Sequence, residues 1–324
     1  MALNPGRQEN STQLPRLDAE GLRSTESVTL WKTARRRLLR RKSALVGLGI
    51  LSVLVFIALT AQWIAPYDPQ QVLIGIEPVK MRQAPCIHIL GCPADQPQHL
   101  MGIDGNVRDQ FSRVLYGARL SLMVGFSTVG FAIIIGTFLG ALAGYLGGQV
   151  DNVIMRMMDV LLAFPSLLLA IAIVTILGPG LINALLAIGI VSIPVYARVS
   201  RASVLSVREM EFVEASRSLG GGTFYILFGR ILPNSLTPLI VQGTLGIATA
   251  ILDAAALSFL GLGAQPPTPE WGTMLGAERN QVFTAPHLVF YPGLAIMLVV
   301  LSFNLLGDGM RDALDPRLAE RGGE

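Results

Sequence analysis

The sequence predicts an all-α, polytopic membrane protein, and three observations carry that expectation. Of 324 residues, 52% are apolar and only 15% are Lys, Arg, Asp or Glu, with a mean hydropathy of +0.55. Soluble domains carry about 25% charged residues. Glycine accounts for 34 positions, a composition that suits membrane helices packed backbone to backbone. Five runs contain no Asp, Glu, Lys or Arg: Ala44 to Ala65, Leu120 to Gly148, Val160 to Ala197, Ile231 to Leu252, and Asn280 to Gly307. Crossing a hydrocarbon core of about 30 Å takes about 20 apolar residues in a helix.

The elements follow in order. Residues 1–43 are expected to form a polar tail rather than a cleaved signal peptide, ending in a basic segment of Lys32, Arg35, Arg36, Arg37, Arg40, Arg41 and Lys42. A first span at 44–65 leads into a long loop, 66–116. The core, 117–307, holds five more spans, because the third run is too long for one crossing and contains Gly178-Pro179-Gly180, which favours a turn. The expected spans are therefore 44–65, 120–145, 157–178, 181–203, 237–262 and 288–307. A loop at about 204–236 interrupts the core, and 308–324 form a second tail. Seven basic residues before the first span place the amino terminus in the cytoplasm, and six crossings return the carboxyl terminus there. With that orientation sixteen Lys or Arg fall inside, against five outside at Lys80, Arg82, Arg108, Arg113 and Arg279. The basic balance thus reports topology and gives no reason to expect a nucleic-acid partner.

Soluble-type chemistry is missing from the motifs. There is no G-x-x-x-x-G-K-[ST] phosphate loop, no His-Glu-x-x-His and no G-x-S-x-G. Gly220-Gly221-Gly222 is followed by no Lys, so it reads as a turn between two short helices. The preceding segment places Met210, Val213, Ala215 and Leu219 on one side of a helix and Glu209, Glu211, Arg217 and Ser218 on the others. An aromatic piece with Phe224, Tyr225 and Phe228 then runs to Pro233. The pattern suits a ledge at the membrane surface, either a plain interfacial connector or a docking element.

Specific residues turn the ledge toward docking. Glu214-Ala215-Ser216, Gly220 and Ile231-Leu232-Pro233 resemble the EAA loop of ABC-importer permeases. Asp159-Val-Leu-Leu-Ala-Phe-Pro165, Leu257-Ser-Phe-Leu-Gly-Leu-Gly263, Gln265-Pro-Pro-Thr-Pro-Glu-Trp271 and Asn304 to Pro316 resemble the second permease subunit of dipeptide, oligopeptide and nickel importers. The resemblance covers about Gln98 to Arg317. It implies a bacterial inner-membrane protein forming half of a translocation path for peptides or, alternatively, nickel or another small solute. The implied partners are a second homologous permease, two ATP-binding subunits docked through the EAA-like loop, an extracytoplasmic substrate-binding protein and membrane lipid. ATP and Mg would be bound by the partner ATPases, with no cofactor, metal or catalytic residue in this chain. In His99-Leu-Met-Gly-Ile103-Asp104-Gly-Asn-Val107-Arg108-Asp109, Ile103 and Val107 stand where the family usually has Thr and Gly. Losing a Gly removes an easy positive-φ position, so the local turn is open to change.

Three further features bear on function. Gly136, Gly140 and Gly144 fall four apart, a small-residue track expected to pack a helix closely. Asp253 puts an ionisable group in an apolar run, where such groups face a partner or a wet cavity. It is a candidate gate residue near the outer end of the fifth span, or a structural carboxylate. Cys86 and Cys92 lie with His88 and His99 in the outer loop. Their order fits no common metal site, and an oxidising compartment favours a disulfide. A secondary transporter would be expected to carry charged or broken midplane helices and an internal repeat, and neither is evident.

Overall fold

The computed structural model describes residues 38–314. The tail at 1–37, with Lys32, Arg35, Arg36 and Arg37, and the segment 315–324, with Arg317 and Arg321, lie outside the described residues.

Helix α1, Lys42–Ile64, begins at the last residue of the basic segment. Helix α2 runs from Gln110 to Leu146, 37 residues, about 55 Å at 1.5 Å per residue. It therefore starts ten residues before the apolar run that signalled it. Asp109 caps its first turn, its carboxylate accepting a 2.7 Å hydrogen bond from the Ser112 amide. Arg113 stays inside the helix because its guanidinium donates to the carbonyls of Pro69 and Pro267 at 2.9 and 3.1 Å.

The expected third span at 157–178 is corrected. The chain instead forms α3, Gly148–Leu162, and α4, Ser166–Leu177, bent by 90° at the intervening residues. Pro165 lacks an N–H and disfavours helical geometry at the residue before it, so Phe164 cannot continue α3. At 15 and 12 residues the two helices are about 22 and 18 Å long, and neither alone spans about 30 Å. The Gly178-Pro179-Gly180 turn follows, with φ of 91° at Gly178, and α5 occupies Leu181–Val207.

Helix α6, Glu211–Ser218, begins the ledge. Short helical turns at Thr223–Ile226, Leu227–Ile231 and Leu232–Asn234 lead to α7, Leu236–Phe259. Pro233 thus sits within an almost continuous helical path and does not end the ledge. Helix α7 stops three residues before its expected end, where the chain turns through Gly261 at φ 80°. Helix α8, Trp271–Glu278, is short and buried, and α9 runs from His287 to Leu314. Among the described residues five helices are long and apolar enough to cross a membrane, six with the bent pair counted once. The described residues contain no strand, only isolated bridges at Cys86/His99 and Ile103/Asp109.

The largest helix contact joins α2 to α5, and the glycine track explains it. A Cβ at Gly136 would come within 2.7 Å of the Tyr196 Cβ, one at Gly140 would run into the Ala197 carbonyl, and one at Gly144 would lie 2.9 Å from the Arg201 carbonyl. The track packs helix on helix within this chain. Ile188, Ile251, Leu257, Trp271 and Phe303 fill the core between these helices.

Candidate coupling ledge and outer loop

The ledge is anchored by branched aliphatic residues. Val213 of α6 is fully buried among Ala141, Val204, Val207, Ile226, Leu227 and Ile231. Those partners belong to α2, α5 and the turns leading to α7, so one side chain ties the ledge to three parts of the bundle. The apolar face expected from periodicity is corrected: Met210, Ala215 and Leu219 are exposed, Leu219 at 89%. In the aromatic piece Phe224 is 75% exposed while Ile226 and Ile231 are buried. Phe224 and Phe228 stack on each other with centroids 6.1 Å apart.

The corner has a definite geometry. Gly221 N–H donates to the Ser216 carbonyl at 3.0 Å and Gly220 N–H to the Arg217 carbonyl at 2.9 Å, the paired bonds of a Schellman ending. Gly220, the residue after the cap, has φ 81°, where a Cβ is penalised. Glu214 and Ala215 face outward, Ser216 is half-buried and its hydroxyl donates to the Phe212 carbonyl at 2.8 Å. Of the EAA-like residues after the corner, Ile231 is buried, Leu232 half-buried and Pro233 exposed. The outward-facing side chains of this segment include Met210, Phe212, Glu214, Ala215, Arg217 and Leu219.

On the other side of the bundle, the loop before α2 closes over its own small core of Leu73, Ile103 and Val107. Cys86 and Cys92 are joined in a disulfide, and Cys86 exchanges two backbone hydrogen bonds with His99 at 2.9 and 3.0 Å. His88 is exposed, with Nε2 2.8 Å from the Gln96 carbonyl oxygen. Val107 keeps a positive φ of 56° although it is not glycine, so the turn holds its backbone and the side chain bears the strain.

Several charged residues here were missed by sequence reasoning. Asp104 Oδ2 accepts from Arg108 Nε at 2.8 Å and lies 3.4 Å from Arg113 Nε, and all three groups are buried. Glu278 of α8 accepts from Arg82 at 2.9 Å and from the Gly105 amide at 2.9 Å. The only signal in the sequence was the density of His, Asp and Arg between His99 and Arg113.

Asp253 lies in α7 six residues before its end and is half-buried. Its carboxylate forms no hydrogen bond or ion pair with the described residues. The structure thus brings Glu214, Ala215, Ser216 and Gly220 onto one ledge, puts Cys86 and Cys92 in another region, and leaves Asp253 apart from both.

Long apolar helices, a bent helix pair and an outward-facing ledge define a polytopic helical membrane protein. The chain belongs to the family of binding-protein-dependent transport system inner membrane components, whose model matches residues 136–320. A second model, the N-terminal TM domain of oligopeptide transport permease C, matches residues 29–85. The chain is 49% identical over 292 residues to the dipeptide transport system permease protein DppC of Alkalihalophilus pseudofirmus, covering 90% of this chain and 91% of that one. It is 50% identical over 277 residues to the di/tripeptide transport system permease protein DppC of Pseudomonas aeruginosa, covering 86% and 89%. The glutathione transport system permease protein GsiD of Pectobacterium atrosepticum is 44% identical over 290 residues, covering 90% and 92%. Among solved structures, a chain from inward-facing MetNI methionine ABC transporter crystals matches with a TM-score of 0.53 at 18% identity, covering 63% of this chain and 96% of that one. That match concerns the fold alone.

Proposed function

We propose that this subunit forms half of a path for di- or oligopeptides across the membrane, paired with a second homologous permease. Two ATP-binding subunits dock on ledges of the α6 type, hydrolyse ATP with Mg, and pass their motion into the bundle. A substrate-binding protein delivers cargo to the outer loop, and both termini of this chain lie in the cytoplasm. The peptide class rests on the relatives named above for dipeptides, tripeptides and glutathione.

The observation that carries the coupling reading is the combination at α6. Its outer surface is free while Val213 is locked against α5, α2 and the turns before α7. A push on such a ledge moves these segments together, which suits rigid-body alternating access. A photo-crosslinking residue at Leu219, in the chain co-expressed with its ATPases and partner permease, is expected to capture an ATPase subunit. Liposomes holding the assembled complex are then expected to take up dipeptide only with ATP and the binding protein. A complex that moves nickel or another small solute but no peptide would leave the coupling reading intact and remove the peptide one.

A further inference from the structure

His99 has surroundings that the permease reading does not use. It is 1% exposed, yet Nδ1 lies 2.8 Å from Asp109 Oδ1 and Nε2 lies 3.1 Å from Glu77 Oε2. An ionised carboxylate only accepts hydrogen bonds, and a neutral imidazole has one donor and one acceptor nitrogen. A neutral ring between two ionised carboxylates would therefore set one lone pair against another. A ring carrying both protons satisfies the two contacts at once.

Charge balance points the same way. Among the described residues neither Glu77 nor Asp109 forms an ion pair with Lys or Arg, and His99 is the cationic partner of both. The remaining acceptor sites are already used. Asp109 Oδ2 accepts from the Ser112 amide and hydroxyl, each at 2.7 Å, and Glu77 Oε1 accepts from the Tyr67 hydroxyl at 2.7 Å. The Tyr67 ring stacks on the imidazole with centroids 5.4 Å apart, offering a face that attracts a cation. One ring thereby joins three places: the cap of α2 through Asp109, the segment containing Glu77, and the strand-like pairing with Cys86 of the disulfide.

We propose that His99 is a buried imidazolium that pins the outer loop onto the start of α2, and that the pin releases when the surrounding medium turns alkaline. Burial alone pulls the imidazole down, but the hydrogen bond and charge of Asp109, then those of Glu77, outweigh it and hold the group above its ordinary value of 6.5. A group raised in the folded state contributes stability that is complete below its unfolded value and is lost as pH rises through the folded one. The titratable groups facing the ring are Glu77, Asp109 and Tyr67. The tyrosine is itself pushed up, by burial first and then by its hydrogen bond to Glu77, so it stays neutral throughout. His99 is then the group that titrates on the alkaline side. That the medium is the outer one rests on the topology proposed above; the proton chemistry does not.

Hydrogen–deuterium exchange on the full chain in nanodiscs, corrected for intrinsic rates, tests this from pH about 6 to about 9.5, a range that starts near the ordinary histidine value. Peptides covering residues 72–99 are expected to lose protection about tenfold or more across that range, while the interior of α2 does not change. His99→Gln is expected to show low protection at every pH, Glu77→Gln to move the midpoint to lower pH, and the exposed-site control His88→Gln to keep the wild-type profile. Flat wild-type protection, an unchanged midpoint in Glu77→Gln, or a profile that follows His88 would overturn the proposal. If His99→Gln fails to insert, the Glu77→Gln midpoint decides alone. The readout needs no transport, so it stands or falls separately from the permease reading.

Discussion

At the start of α2, Asp104, Arg108, Asp109 and Arg113 are each less than a tenth exposed and are held by hydrogen bonds and ion pairs. At the ledge the pattern is reversed: Glu211, Glu214 and Arg217 face outward while Val213, Ile226 and Ile231 are hidden. The difference lies in what each region can give to a partner. Charges spent on internal pairing leave the loop before α2 specified by geometry and sensitive to proton chemistry. A ledge held by hydrocarbon keeps its charges and Leu219 free for a second protein, and salt or pH should loosen it little. Substitutions at five positions would break or sharpen that contrast.

The largest effect is expected from Asp104→Asn, which keeps the shape but leaves Arg108 and Arg113 buried beside a neutral group. Breaking a buried pair in this way costs about 3–5 kcal/mol, so the purified chain should show a large drop in melting temperature. Arg217→Ala on the ledge should shift it within about 0.5 kcal/mol, as for exposed sites generally. Equal losses at both positions would erase the distinction between the two regions.

Gly220→Val comes next. A Cβ at Gly220 meets no atom within 4 Å, so the cost comes from the positive φ alone, about 1–2 kcal/mol. Membrane insertion and yield should persist while ATPase association or transport falls. Full transport by this variant at normal expression would remove the corner from the coupling path.

Val107 offers a finer test of the loop before α2. Its positive φ costs about 1–2 kcal/mol, against about 1.5–3 kcal/mol gained by burying a valine. Val107→Ala keeps the strain and loses about 1.6 kcal/mol of burial, two methylene equivalents. Val107→Gly loses the burial but relieves the strain, so its melting temperature should exceed that of the Ala variant. The opposite order would mean that the turn changes its backbone once the valine is gone.

The smallest effect on stability is expected at Asp253. Without a hydrogen bond or ion pair among the described residues to lose, Asp253→Asn should change stability by about 0.5 kcal/mol or less. As a gate residue it should still alter the basal ATPase rate of the assembled transporter or its stimulation by the binding protein. Unchanged rates in both conditions would leave Asp253 without a functional role.

The sequence by itself determined that this is a multi-pass helical membrane protein of the importer-permease family, because apolar runs matched to bilayer thickness and a specific run of ledge residues are local properties of the chain. The glycine track and the corner at Gly220 were legible for the same reason: spacing along one helix and one residue's missing side chain. Pro165 was in plain view, yet a scan for uncharged residues passed over it, since hydropathy counts side-chain polarity and not the missing N–H that broke the span. That scan also started α2 too late, because charge was taken to end a helix and the Arg113 guanidinium finds hydrogen-bond acceptors in carbonyls 44 and 154 residues away. Only the tertiary structure decided that Val213, and not Met210 or Leu219, anchors the ledge, and that His99 sits between Glu77 and Asp109. Burial and hydrogen-bond partnership depend on which distant segments arrive at a side chain, and no period or motif along the chain records that arrival.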